Sequence, residues 1–205
     1  MIESREEVAI RDEHVFKILV TGPFAAGKTS LIQSVSQTPV VSTDVATGGA
    51  ESIVKATTTV AMDFGTFALT DDDGRPDVRL LLFGTPGQDR FWFMTDVLKG
   101  EVDVVTYVVD AEATHTHDEA GAAMRELLRD LRVPVVVAVN RCDDRRQARV
   151  LARSLGALAN ESVVPCQLIV AESGREVVIE TLLTLLDVLE SPDHRGRTTH
   201  LMEAV

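Results

Sequence analysis

Gly22-Pro-Phe-Ala-Ala-Gly27-Lys28-Thr29 decides how the rest of the chain is read. Its spacing is G-x-x-x-x-G-K-[ST], the loop whose backbone amides turn inward on phosphate oxygens. Gly22, Phe24, Ala25, Ala26 and Gly27 would form the cradle, with Ser30 just beyond it. Lys28 would reach the β- and γ-phosphates, and the Thr29 hydroxyl would ligate Mg2+. The motif needs a strand before it and a helix after it. Val15-Phe-Lys-Ile-Leu-Val20 is a short apolar run of strand length, and Ser30-Leu-Ile-Gln-Ser-Val35 continues as helix to about Gln37, where Thr38-Pro39 breaks it.

Beyond that helix, residues 38–56 carry Gly48-Gly49 and no periodicity, the pattern of a long functional loop. Thr59-Val-Ala-Met-Asp-Phe64 alternates, Asp71-Asp-Asp-Gly74 signals a turn, and Val78-Arg-Leu-Leu-Leu-Phe83 is a second strand, so residues 59–83 read as a hairpin. Thr85-Pro-Gly-Gln-Asp89 is loop, and Phe91–Lys99 is helical or irregular. Asp103–Val109 and Pro134–Val139 are nearly continuous apolar runs, as strands buried on both faces are. Helical periodicity covers Asp118–Leu131, with Ala122, Leu127, Leu128 and Leu131 on one face, then Asp144–Leu158 and Glu176–Leu189. Val164–Val170 reads as the last strand.

Strands alternating with helices specify an α/β fold. The expected sheet has six strands, mostly parallel with one antiparallel, and helices on both faces. Residues 14–190 would form this unit, with a polar lead-in over 1–13 and a loose tail over 191–205. Ligands in such sheets bind at the carboxyl ends of the strands. The Gly22–Thr29 loop, Thr85–Gln88, Asn140–Asp143 and the segment after Val170 all fall there.

Composition narrows the partners. The net charge of −12 over 205 residues opposes nonspecific binding to nucleic acid or to an anionic membrane. Cys142 and Cys166 have no metal-ligand spacing, and a reduced cytosolic chain is the simpler reading. No window reaches the apolar length of a membrane span, so any visit to a membrane would be through a partner. His115-Thr-His117 precedes a helix and reads as a surface turn capped by Thr116 or Asp118, not as a metal site.

Asn140-Arg-Cys-Asp143 follows a valine-rich strand and has the form N-K-x-D with Arg141 in place of lysine. A carboxylate such as Asp143 accepts two N–H bonds from the edge of guanine, and adenine does not offer that pattern. The Arg141 stem would lie over the base. Alone, these residues also fit a helix cap by Asp143.

With both motifs in place the chain resembles the Ras-like small GTPases. More closely it resembles the bacterial branch encoded beside Roadblock/LC7 proteins, the MglA-like and actinobacterial conservon GTPases. Gly22–Thr29, Lys55–Gly65, Leu82–Phe93 and Val137–Asp143 carry the resemblance. It implies a GTP/GDP switch in which Thr59 contacts Mg2+ and the γ-phosphate. Gly87 would bind the γ-phosphate through its amide, Gln88 would orient the attacking water, and the amide of Ala171 would meet the base. It also implies a Roadblock/LC7-type partner and, through it, a membrane sensor-kinase-like complex. The aromatic run Phe91-Trp-Phe93 would face partners.

The chain departs from the Ras pattern in three places. Gly84 stands where an aspartate usually holds Mg2+ through water, so Asp63 on the neighbouring strand is the expected substitute. Phe24 and Ala25 replace glycines, and Phe24 would crowd an inserted arginine finger, so slow, partner-dependent hydrolysis is expected. Thr58 precedes Thr59, and neither Lys55 nor Arg90 is an evident built-in finger. The alternatives are a guanine-nucleotide scaffold without turnover and a P-loop kinase or ATPase.

Overall fold

The structure, a computed structural model, describes residues 14–42, 62–70, 74, 76–85 and 101–191. In chain order these form β1 (His14–Thr21), α1 (Lys28–Val35), β2 (Val41–Ser42), β3 (Asp63–Thr70), β4 (Pro76–Gly84) and β5 (Val104–Asp110). Then come α2 (His117–Asp130), β6 (Val135–Asn140), α3 (Arg145–Leu155), β7 (Ser162–Cys166) and α4 (Ala171–Glu190). They build one sheet in the order β2-β3-β4-β1-β5-β6-β7. β1 lies parallel to both β4 and β5, and β5, β6 and β7 continue in parallel. β3 alone opposes the rest, pairing antiparallel with β4 and with the two-residue β2 at the edge. This is the expected mixed α/β sheet of six longer strands, one of them antiparallel, with β2 added at its margin.

Alternation along the strands divides the core. Ile18, Val20, Val104, Val108 and Ala138 face α1 and α4, while Leu19, Val105, Tyr107, Val109, Val137 and Val139 face α2 and α3. Buried polar groups are paired locally. Thr106 shares a hydrogen bond with Thr181 across β5 and α4 (3.0 Å), and the Tyr107 hydroxyl donates to the Ala120 carbonyl (2.8 Å). Cys166 and Cys142 lie in these two separate clusters. Burial pushes the Cys166 thiol up to about 12, with Cys142 adding to the shift, so it is not a ready nucleophile.

Several boundaries move from the sequence reading, each for a local reason. β3 runs from Asp63 to Thr70, past the expected end at Phe64, because its ladder with β4 continues as far as Thr70 opposite Pro76. Residues 59–61 lie outside the described residues. β7 stops at Cys166 because the Leu168 amide turns away to the Asn140 side chain (3.0 Å). α3 ends at Leu155 because Gly156 takes φ 114°, the left-handed stop that glycine accepts readily. On α2 the buried positions are Ala120, Gly121, Met124 and Leu127, and Ala122 is exposed. Thr116 precedes α2, yet its hydroxyl donates to the Ala113 carbonyl (2.8 Å), so neither it nor Asp118 supplies the expected side-chain cap.

Two close approaches fix α1 over the sheet. Ile32 fills a notch made by Gly65 and Gly84. A Cβ on either would come within 2.7 Å of an Ile32 carbon. Gly174 of α4 meets Ser34 of α1, where a Cβ would lie 2.0 Å from the hydroxyl oxygen. Gly174→Ala is therefore expected to destabilise the protein by about 1–3 kcal/mol through overpacking, more than the ~0.5–1 kcal/mol gained from helix propensity. Urea unfolding measures this, and a stabilised variant would mean that Ser34 yields without moving α1.

Candidate nucleotide site

The phosphate loop joins β1 to α1 at the carboxyl edge of the sheet, where the chain leaves its central strand. Its two glycines are forced. Gly22 sits at φ 138° with Val108 O only 2.0 Å from where a Cβ would stand, and Gly27 sits at φ 111° against the Asn140 amide nitrogen (2.6 Å). Ala25, at φ 58°, holds a left-handed conformation without being glycine, a strain of the kind that collects at binding sites. Gly27 caps α1 with no side-chain acceptor, which leaves the first amides of the helix free for a ligand. Phe24 projects from the middle of the loop, 66% exposed, and Thr29 and Ser30 are exposed in the first turn of α1.

Lys28 is buried and folds back over the loop. Its ammonium donates to the carbonyls of Gly22 (2.8 Å) and Pro23 (2.6 Å). Desolvation lowers its pKa to about 8, against the opposing pull of the Asp63 carboxylate. The Thr29 hydroxyl donates to that same carboxylate. Asp63 opens β3 directly opposite Gly84, the position where the sequence lacks an acid. An acid at Gly84 would meet Ile32 Cδ1 at 2.7 Å and Asp63 Cβ at 3.0 Å with its Cβ alone. The carboxylate missing from β4 thus has a counterpart one strand away, already on Thr29. Hydroxyl and carboxylate oxygens are the hard donors Mg2+ takes, with nucleotide phosphates and water completing the shell. Among the described residues no group of three acidic, histidine or cysteine side chains could hold a metal unaided.

At the other end of the site Asn140 is a strut. It is 6% exposed, and its amide donates to the Ala26 carbonyl in the phosphate loop (3.0 Å). Its oxygen accepts from the amides of Arg141 and Leu168, each at 3.0 Å. One side chain thereby joins the phosphate loop, the end of β6 and the turn after β7. The helix cap that Asp143 might have provided is supplied by Asp144, which accepts from the Gln147 amide (2.6 Å). Asp143 is left exposed, with Gln167 Nε2 donating to it at 3.1 Å. Arg141 adopts φ 55°, and its guanidinium pairs with the Asp110 carboxylate. Ala171 is the first residue of α4, while the stretch tied to Asn140 is Leu168, followed by Ile169 at 94% exposure.

Thr59, Gly87, Gln88 and Phe91-Trp-Phe93 lie outside the described residues, as do Lys55, Thr58 and Arg90. Thr85 marks where the Gln88 segment departs from β4. Its hydroxyl donates to that of Thr21 (3.0 Å), and its amide donates to the Val20 carbonyl. The sequence reading overlooked Asp110 and Gln167. Asp110 was visible as the acid that closes an apolar run at the edge where ligands bind. Gln167 gave no local signal.

A family model described as "Conserved hypothetical ATP binding protein" matches residues 40–189, most of the chain. The chain belongs to that family. The match to this ATP-binding-protein family starts after the phosphate loop and includes Asp63, Gly84, Asn140 and Asp143. The chain is also similar to Ras-related protein Rab-7L1 of Homo sapiens, 30% identical over 138 residues, 64% of this chain and 61% of that protein. Rab-7L1 of Rattus norvegicus is 31% identical over 123 residues, 60% of this chain and 53% of the relative. Ras-related protein Rab-32 of Mus musculus is 30% identical over 145 residues, 65% of this chain and 57% of the relative. The chain spans about three-fifths of the length of the curated relatives it matches. No helix among the described residues is long and apolar enough to cross a membrane.

Proposed function

We propose that this protein is a guanine-nucleotide switch of the Ras-like type that hydrolyses GTP slowly. The observation that carries the reading is Asp143. Asp144 relieves it of capping α3, so its carboxylate, touched by Gln167, stands exposed as an acceptor next to a strut that reaches the phosphate loop. A base-reading carboxylate and a phosphate cradle joined by one side chain suit a ligand with guanine at one end and phosphates at the other. In this reading Lys28 and the amides of Gly22–Thr29 bind the β- and γ-phosphates. Thr29 and Asp63 would hold Mg2+, which would neutralise phosphate charge there. Thr59 and Gly87 would sense the γ-phosphate, and Gln88 would orient water for attack on it.

Phe24, exposed in the middle of the phosphate loop, supports slow turnover, since it would crowd an inserted arginine. A Roadblock/LC7-type partner, a membrane sensor-kinase-like complex, a cytoplasmic location and kinship with the MglA-like and conservon GTPases belong to the same proposal, resting on the sequence resemblance. The family's printed description favours a second reading, ATP as ligand.

Competition against labelled GDP separates the two. ATP is expected to compete at least ~10³-fold less well than GTP, because adenine cannot offer Asp143 the two N–H bonds that guanine does, each worth about 1.5–3 kcal/mol to a charged acceptor. Equal competition would overturn guanine specificity and leave the ATP reading. Single-turnover phosphate release from bound GTP then tests hydrolysis, and no release with any partner would leave a scaffold.

A further inference from the structure

Asp110 ends β5 directly across the ladder from Asn140, and the Ala111 amide donates to the Asn140 carbonyl (3.0 Å). Its carboxylate is 6% exposed, and the Arg141 it pairs with is 47% exposed. The second carboxylate oxygen accepts from the Glu112 amide (2.9 Å), and His117 Nε2 lies 2.8 Å from the Asp110 carbonyl. Asp110 is therefore fixed at its carboxylate and at its backbone, and it holds Arg141 from a rigid strand end.

Arg141 needs holding. It is one of only two described non-glycine residues at positive φ, and the other, Ala25, lies in the phosphate loop. The left-handed turn at Arg141 separates two jobs. Before it, Asn140 stays buried on the phosphate loop, and after it the chain emerges so that Asp143 is exposed. A planar guanidinium suits a carboxylate in a way a lysine ammonium does not, which gives the arginine in this motif a physical reason.

We propose that Asp110 is a specificity-positioning residue: by gripping Arg141 it maintains the turn that sets Asp143 at the edge of the base. The inference rests on the guanine reading of the site. It concerns how tightly Asp143 is placed, so its signature is discrimination, not affinity alone. Inosine lacks the 2-amino group of guanine, so a well-placed carboxylate accepts two N–H bonds from GDP and one from IDP.

Affinities for GDP and IDP, measured on the full chain, give the test. Asp110→Ala and Arg141→Ala are each expected to narrow the GDP/IDP ratio by roughly 3–10-fold, within the range of coupling between contacting groups. The double variant should narrow it no further, and Arg141→Lys should fall between. Asp110→Asn retains an acceptor for the Glu112 amide and keeps the question open to measurement if the alanine variant fails to fold. Equal loss of GDP and IDP affinity, with the ratio intact, would reduce Asp110 to a structural residue and overturn the inference. A wild-type ratio near one would instead overturn the guanine reading on which it stands.

Discussion

Lys28→Ala is expected to lower GDP affinity by roughly 10²–10³-fold, since charge-assisted hydrogen bonds are worth about 1.5–3 kcal/mol each and tenfold is ~1.4 kcal/mol. The loss alone would identify a phosphate contact, but the pH dependence is more specific. The buried ammonium titrates near 8 in the free protein, well below its ordinary value of 10.5. A bound phosphate favours the charged form and raises that pKa. Above pH 8, binding must therefore take up a proton, and GDP affinity falls with rising pH toward a limit of tenfold per unit. The folding contribution has the opposite sign. Between pH 8 and 10.5 the unfolded chain binds more protons at Lys28 than the folded chain, so this group's contribution to stability rises with pH. Isothermal titration and denaturant unfolding across pH 7–10 read both slopes. Lys28→Ala should remove this group's share of each slope, leaving the opposing loss of stability above pH 9 from the buried Cys166 thiol, and an unchanged affinity slope in that variant would assign the titration to another group.

Asp63→Ala is the second large effect. In the wild-type protein, chelating Mg2+ should accelerate release of a fluorescent GDP. In the variant, release should be fast from the start and nearly indifferent to chelator, with apparent Mg2+ affinity reduced by about 10–100-fold, the usual cost of removing a carboxylate that orients a metal's ligands. Asp63→Asn, which preserves shape and an acceptor for Thr29, should show the same loss of chelator response if charge is what matters. A variant whose release still accelerates fully on chelation would disprove the role. The geometry behind the expectation is the shared contact of Thr29 and Lys28 with one carboxylate: a hydrogen bond from the first and an electrostatic pull on the second.

Much of this arrangement could be read before any coordinates. The phosphate loop and the valine-rich strands have short-range signatures, because glycine spacing and continuous burial are written in adjacent residues. The mostly parallel sheet followed from alternation and right-handed crossovers, while the order of its strands was not written there. What escaped were the contacts that close across the sheet. Asp63 could be nominated only because Gly84 left a place vacant, and nothing local says that the two face each other. The choice of Asp144 over Asp143 as helix cap turned on one residue of register, finer than adjacent acids can resolve by propensity. Asp110 and Gln167 matter through partners 31 and 24 positions away. Ala171 was placed by likeness to a motif, while the turn after Cys166 brings Leu168 to Asn140.

The notch beneath Ile32 has a historical consequence. Gly84 accepts an acid only if the tip of Ile32 and Asp63 shift out of the space above it. If Asp63 helps to hold Mg2+ as proposed, it cannot be given up while β4 offers no replacement. A lineage moving from one placement of the carboxylate to the other must change at least these two positions, and Ile32 as well, before the intermediate becomes viable. Each single step is penalised, by packing in one direction and by loss of charge in the other. On the proposed role of Asp63, two adjacent strands are alternative loci for one function, and packing at Ile32 separates them. Descendants of such a protein would be held to their ancestral choice, so the Asp63–Gly84 pair should be inherited as a unit.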